Sequence, residues 1–116
     1  MKIRDIQNVL NAELLTKGDT LDREVHTACG SDMMSDVLAY VKDQAVLVTG
    51  LNNPQVVRTA SMMDMACLVF VRGKRPDDSI IRLAEELDIV ILATDLPMFS
   101  SCGLLYEAGL RGGERT

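Results

Sequence analysis

The sequence is poor in what nucleic-acid recognition needs. It contains no Trp and only 3% aromatic residues, and seventeen acidic side chains outnumber twelve basic ones for a formal charge of −5. Such a surface repels phosphate backbones and offers few rings for bases to stack on, so a nucleic-acid partner is not expected. Cysteine is scarce as well: there are three, an odd number, with no CxxC pair and no ligand-like spacing for a metal. The N-terminus lacks an apolar run of signal-peptide or membrane-spanning length. Together these absences point to a reducing cytoplasm and no membrane attachment. Two phosphate-binding fingerprints are missing too. Gly73-Lys74 is followed by Arg75 rather than Ser or Thr and has no upstream P-loop glycine, which removes that route to ATP hydrolysis. No GxGxxG opens a helix after a strand, so hydride chemistry has no support and no cofactor is expected.

What is present is globular. The 116 residues are 47% apolar and 25% charged, the composition of one ordinary domain. At this size folding buries roughly two thirds of the unfolded chain's surface, enough for a core without disulfides or metal. Ile3, Ile6 and Leu10 fall at helical spacing, and Lys17-Gly18-Asp19 breaks the pattern. Val25 to Cys29 reads as a weak strand ended by Gly30. Residues 45–48, 67–71 and 89–93 are unbroken apolar runs, as in parallel strands buried on both faces. Between them the period becomes helical at Met34, Val37, Leu38 and Val41, at Val56, Val57, Ala60 and Met63, and at Ile80, Leu83, Ala84 and Leu87. Asn53 is placed to cap a helix with Pro54 at its first position, and Asp77 and Asp78 put negative charge in the first turn of the next. A last helix carries Phe99, Cys102, Gly103 and Tyr106 on one stripe and ends near Gly109. Residues 1–110 form the expected domain and 111–116 a flexible tail.

The strand ends at Gly30, Gly50, Gly73 and Thr94 lie 20, 23 and 21 residues apart, a repeated strand-then-helix unit with no room for a linker. The fold class is therefore α/β: a three-layer α/β/α domain around a mostly parallel sheet of four to five strands. Ligands of such sheets bind beyond the carboxyl ends of the strands. Four loops converge there, contributing Ser31 and Asp32, Gly50, Asn52 and Asn53, Arg72, Gly73 and Lys74, and Thr94 and Asp95. Each leads into a helix whose amino end offers amide donors to an anion, with full charge from Arg72, Lys74 and Arg75. The plainer alternative makes Ser31, Asn53, Asp77 and Asp95 helix caps only.

The remaining reactive groups carry less. His26, the sole histidine, lies in or beside the weak strand. Cys29 sits where a strand meets a helix and amides could lower a thiol pKa, but small core filler is the simpler role, as for Cys67 and Cys102. Met62, Met63 and Met65, with Met33 and Met34, suit an adaptable core or an oligomer surface. No catalytic constellation emerges, and enzymatic activity is not expected.

The wording of the loops carries a family resemblance. Leu21-Asp22-Arg23-Glu24-Val25, the segment Gly30-Ser31-Asp32-Met33-Met34-Ser35-Asp36, and Val48-Thr49-Gly50-Leu51-Asn52-Asn53-Pro54 resemble the DRTGG domain family, as do Val71-Arg72-Gly73-Lys74-Arg75-Pro76 and Pro97-Met98-Phe99-Ser100-Ser101-Cys102-Gly103. The closest likeness is to small stand-alone members, some found beside hydrogenase genes. The resemblance implies a domain similar to the N-terminal domain of HPr kinase, without that enzyme's catalytic P-loop domain. It also implies regulation by a small ligand such as a nucleotide, and pairing as a homodimer. Where relatives carry an Asp-Arg pair this chain has Leu51-Asn52-Asn53-Pro54, and where they carry Thr-Gly-Gly it has Val71-Arg72-Gly73. The expectation is a non-catalytic ligand-sensing domain with a small anionic ligand at the carboxyl edge of the sheet. The alternative is a protein-interaction accessory module for a redox, hydrogenase-type enzyme, with no small ligand.

Overall fold

The computed structural model of the chain describes residues 1–40 and 44–112. Three segments with no polar residue before their carboxyl ends become β3 (Ala45–Thr49), β4 (Cys67–Phe70) and β5 (Val90–Ala93), and every residue in them is buried. Strands apolar on both faces need a layer on each side, and the alternation of side chains supplies two separate cores. On one face Val46, Val48, Val69 and Leu92 pack with Ile3, Ile6 and Leu10 of α1 (Ile3–Leu10) and Leu105 of α5 (Met98–Glu107). On the other, Leu47, Leu68, Phe70 and Ile91 meet α2 (Met34–Tyr40), α3 (Pro54–Met62) and α4 (Asp78–Glu86). The three-layer α/β/α reading is thus realised.

Two further strands complete a five-stranded sheet: β1 (Glu13–Leu14) and β2 (Thr27–Gly30), in the order β1-β5-β4-β3-β2. Strands β2 to β5 are parallel, with Thr27 opposite Ala45, Val46 opposite Cys67 and Cys67 opposite Val90. The two-residue β1 runs antiparallel along β5, pairing Glu13 with Ala93 and Leu14 with Leu92. Each helix-to-strand joint turns through one left-handed residue: Asn11, Gln44, Asp64 and Asp88 have φ of 49°, 53°, 54° and 58°, a conformation that Asn and Asp enter at modest cost.

Several sequence expectations change at the surface. The stripe of Phe99, Cys102, Gly103 and Tyr106 is not the buried face: Phe99 is 91% exposed and Tyr106 59%, and of the four Cys102 packs against the core, whereas Ser101 and Leu105 are buried. Helix α5 has apolar residues all round, so periodicity could not select its buried face. In α2, Val37 is buried but Leu38 is exposed, and Val41 lies outside the described residues. Arg111, assigned to the tail, is held instead: its carbonyl accepts a hydrogen bond from the Ala28 amide at 2.9 Å, forming a parallel bridge with Thr27. Residues 113–116 of that tail lie outside the described residues. Among the described residues, no helix is long and apolar enough to cross a membrane.

Candidate functional site

Strand order fixes where a ligand crevice can form. Strands β2 to β5 lie side by side in chain order, so the successive crossovers place α2, α3 and α4 on one face. The chain changes face only after β5, when α5 returns to the layer of α1. The connections therefore diverge between the loops after β4 and β5, the position where an open sheet can accept a ligand.

Backbone hydrogen bonds draw those two loops together. Lys74 N donates to Val71 O at 3.1 Å, Arg72 N to Leu96 O at 2.8 Å and Gly73 N to Thr94 O at 3.0 Å. Arg72 and Gly73 have φ of 58° and 70°, so both central residues of the turn are left-handed, as in a type I′ turn. Glycine enters that region freely, whereas Arg72 pays roughly 1–2 kcal/mol for it. Unlike Asn11, Gln44, Asp64 and Asp88, it does not join a helix to a strand.

The Arg72 guanidinium lies against Gly50: a β-carbon on Gly50 would come within 2.6 Å of Nη2. The Asp95 carboxylate approaches Gly73 in the same way, at 3.3 Å. Among the described residues, the side chains of Arg72, Lys74 and Asp95 make no hydrogen bond or ion pair. Arg75 is engaged. Its guanidinium grips the Glu13 carboxylate with both nitrogens, one of them at 3.1 Å. The hydrogen bond to Arg75 holds the Glu13 carboxyl below its ordinary range, and Glu13 in turn raises the Arg75 pKa.

The other sequence-predicted residues meet on this edge but largely satisfy one another. Ser31 Oγ accepts from Met33 N at 2.9 Å. Asp32 Oδ1 accepts from Thr49 Oγ1 at 3.0 Å and Gly50 N at 2.7 Å, tying the first loop to the second. Asn52 Nδ2 donates to Arg75 O at 3.3 Å. Asn53 caps α3 through Gln55 N at 2.9 Å. Thr94 is buried, donating to Leu10 O at 2.8 Å and accepting from Leu96 N at 3.3 Å. Asp77 caps α4, and hydrogen bonds from Ser79 Oγ and Ile80 N lower its pKa. Asp95 does not cap: α5 starts after Pro97 with no side-chain cap.

Of the cavities described, one reaches these loops, at Gly30, and the others lie away from them. One of about 200 Å³ separates β2 from α5 and is lined by Cys29, Cys102, Tyr106 and Arg111. An open groove of about 650 Å³ runs past Met1, Val9 and His26. Cys29 and Cys102 are half-buried, and burial raises both thiols, so the lowering by amides considered for Cys29 does not occur. Fully buried Cys67 is raised further still. Among the described residues, no group of three or more His, Cys, Asp or Glu could hold a metal ion. Sequence reasoning missed Glu13 as the partner of Arg75, and Tyr106 and Arg111 as the rim of the cavity beside β2. Their importance arises from long-range placement, which no local pattern announces.

Comparison with known proteins gives two findings and one blank. The sequence matches the DRTGG domain over residues 5–108. Among solved structures, the chain is similar to the CBS and DRTGG domains of the regulatory region of Clostridium perfringens pyrophosphatase, complexed with its activator diadenosine tetraphosphate. The TM-score is 0.76 at 16% identity, covering 90% of this chain and 45% of that one. At that identity the likeness is one of fold, and the chain spans less than half of the structure it matches. No curated protein matches.

Proposed function

The chain belongs to the DRTGG domain family, and from that premise we propose that it is a regulatory, non-catalytic module binding a small anionic ligand, such as a nucleotide, at the carboxyl edge of its sheet. The observation that carries this reading is Arg72. It occupies an unfavourable left-handed turn at the point where the crossovers diverge, and its guanidinium lies over a glycine rather than in an ion pair. Residues held in costly conformations cluster at ligand sites. Lys74 adds a second cation. Asp95 is placed to accept from a ribose hydroxyl or an amine, and the uncapped start of α5 supplies amide donors. Ser31, Asp32, Gly50, Asn52, Asn53, Gly73 and Thr94 shape this edge and hold the loops in register. The C. perfringens structure, a regulatory region bound to a dinucleotide activator, supports the ligand class by analogy of fold.

A thermal-shift screen against adenine and guanine nucleotides, dinucleoside polyphosphates and acyl phosphates, repeated with Arg72→Ala, tests the proposal. A ligand that binds only the native state raises the melting temperature by mass action. A shift with one ligand that disappears in the variant supports the site. The absence of any shift at saturating concentrations refutes it.

A second reading, a docking module for a protein partner such as a redox enzyme, is favoured by apolar side chains left in solvent: Phe99 at 91%, Met62 at 67% and Met33 at 60% exposure. Pull-down with Met62→Ser beside the wild type separates the two readings, because Met62 ends α3, at the opposite end of that helix from the Asn53 loop.

A further inference from the structure

We propose that the cavity between β2 and α5 receives a planar heteroaromatic ring, the base of the nucleotide assigned above to the carboxyl edge; the inference rests on that assignment for the ligand class. At about 200 Å³ the cavity is smaller than the roughly 300–1,000 Å³ that drug-sized ligands fill. It suits a ring system rather than a whole nucleotide. Val48, Leu105 and Leu110 give it apolar walls.

Its rim is built for stacking. The Arg111 guanidinium lies 3.9 Å from the centroid of the Tyr106 ring. Arg111 Nη1 donates to Tyr106 O at 2.7 Å and to Leu110 O at 2.9 Å, while its own carbonyl is held by Ala28 N. The guanidinium plane is thus fixed, with Nε and Nη2 unpartnered among the described residues. A planar cation beside an aromatic ring is a surface on which bases stack whatever their identity, and the two unpartnered nitrogens can donate to acceptors on a base edge.

One end of the cavity, at Gly30, reaches the carboxyl edge that carries the proposed anion site. Gly30, in its wall, leads directly into Ser31 and Asp32, and Asp32 holds the Gly50 amide beneath the Arg72 guanidinium. Neighbouring strands lie about 4.8 Å apart, so β2 and β4 are separated by roughly 10 Å. That separation favours a nucleoside polyphosphate over a monophosphate.

Cys29 and Cys102 line the cavity and serve as reporters. The probe is adenosine, which carries the base without phosphate, and the measurement is the rate at which a chromogenic disulfide reagent modifies the native protein. Adenosine at ten times its Kd should slow modification about tenfold. Inorganic phosphate should not slow it, and Tyr106→Ala, a change at an exposed helix position, should abolish the protection. Adenosine that protects while no nucleotide depends on Arg72 would support the cavity and remove the edge assignment. An Arg72-dependent nucleotide shift with no adenosine protection would overturn the cavity and leave the edge assignment standing.

Discussion

Gly30 and Gly50 have the same clearance, 2.6 Å from an added β-carbon to the nearest atom, but alanine at the two positions should have different effects. At Gly30 the atom is Cys102 Sγ, the end of a short side chain half-buried between α5 and β2. It cannot withdraw without a rotamer change or a shift of the strand. Overpacking of this kind costs about 1–3 kcal/mol. The backbone of Gly30 is not left-handed, so alanine recovers about 0.4–1 kcal/mol by restricting the unfolded chain. Gly30→Ala should therefore lose roughly 1.3 kcal/mol, the difference of the two mid-range values. In a Cys102→Ala background the obstructing sulfur is absent, and the next neighbours, Met98 Cγ and Sδ at 3.9 Å, are at ordinary contact distance. There the same substitution should stabilise by about 0.4–1 kcal/mol. Urea melts of the four proteins, compared at constant m, measure the coupling. Additivity within about 0.5 kcal/mol would refute the steric argument.

At Gly50 the obstructing atom is the far end of a long exposed side chain, so Gly50→Ala should leave stability within about 0.5 kcal/mol of wild type, yet displace Arg72 and weaken nucleotide binding as much as Arg72→Ala does; parallel melts and titrations check both halves. Glu13 has its pKa lowered in the folded state by Arg75, so the pair's stabilisation is present above the unfolded carboxyl pKa and is lost as pH falls through the folded one. The stability difference between wild type and Arg75→Ala should accordingly be constant near neutrality and vanish in acid, as denaturant midpoints across a pH series would show. Thr94→Val leaves the Leu10 carbonyl without the hydroxyl that donates to it at 2.8 Å, and should cost about 1–3 kcal/mol in a urea melt.

How far the sequence could be read depends on how local each signal is. The unbroken apolar runs of β3, β4 and β5 and the Asn53-Pro54 cap are statements about a few adjacent residues, and they survive intact in the structure. Strand β1 is two residues long, too short for any period, and exists because β5 offers it an open edge. Helix α5 was legible as a helix but not in its orientation, since Met98, Phe99, Leu104 and Leu105 leave no polar face to mark the outside. The four loops were correctly grouped by their position after each strand. Their polar groups had looked available because the sequence cannot show Asp32 reaching Gly50, or Thr94 reaching Leu10.

The unreversed order of β2 to β5 has a kinetic consequence. Each new strand pairs with the one just before it, so the sheet can grow by successive crossover closures of about twenty residues, none of which spans the whole chain. The outer edge follows a different schedule. Strand β1 must wait for β5, and the bond from Thr94 Oγ1 to Leu10 O joins residues 84 apart. Substitutions within β3 and β4 should therefore slow folding. Substitutions in α1, at Glu13 or at Thr94 should chiefly hasten unfolding, as befits contacts made after the rate-limiting barrier has been crossed.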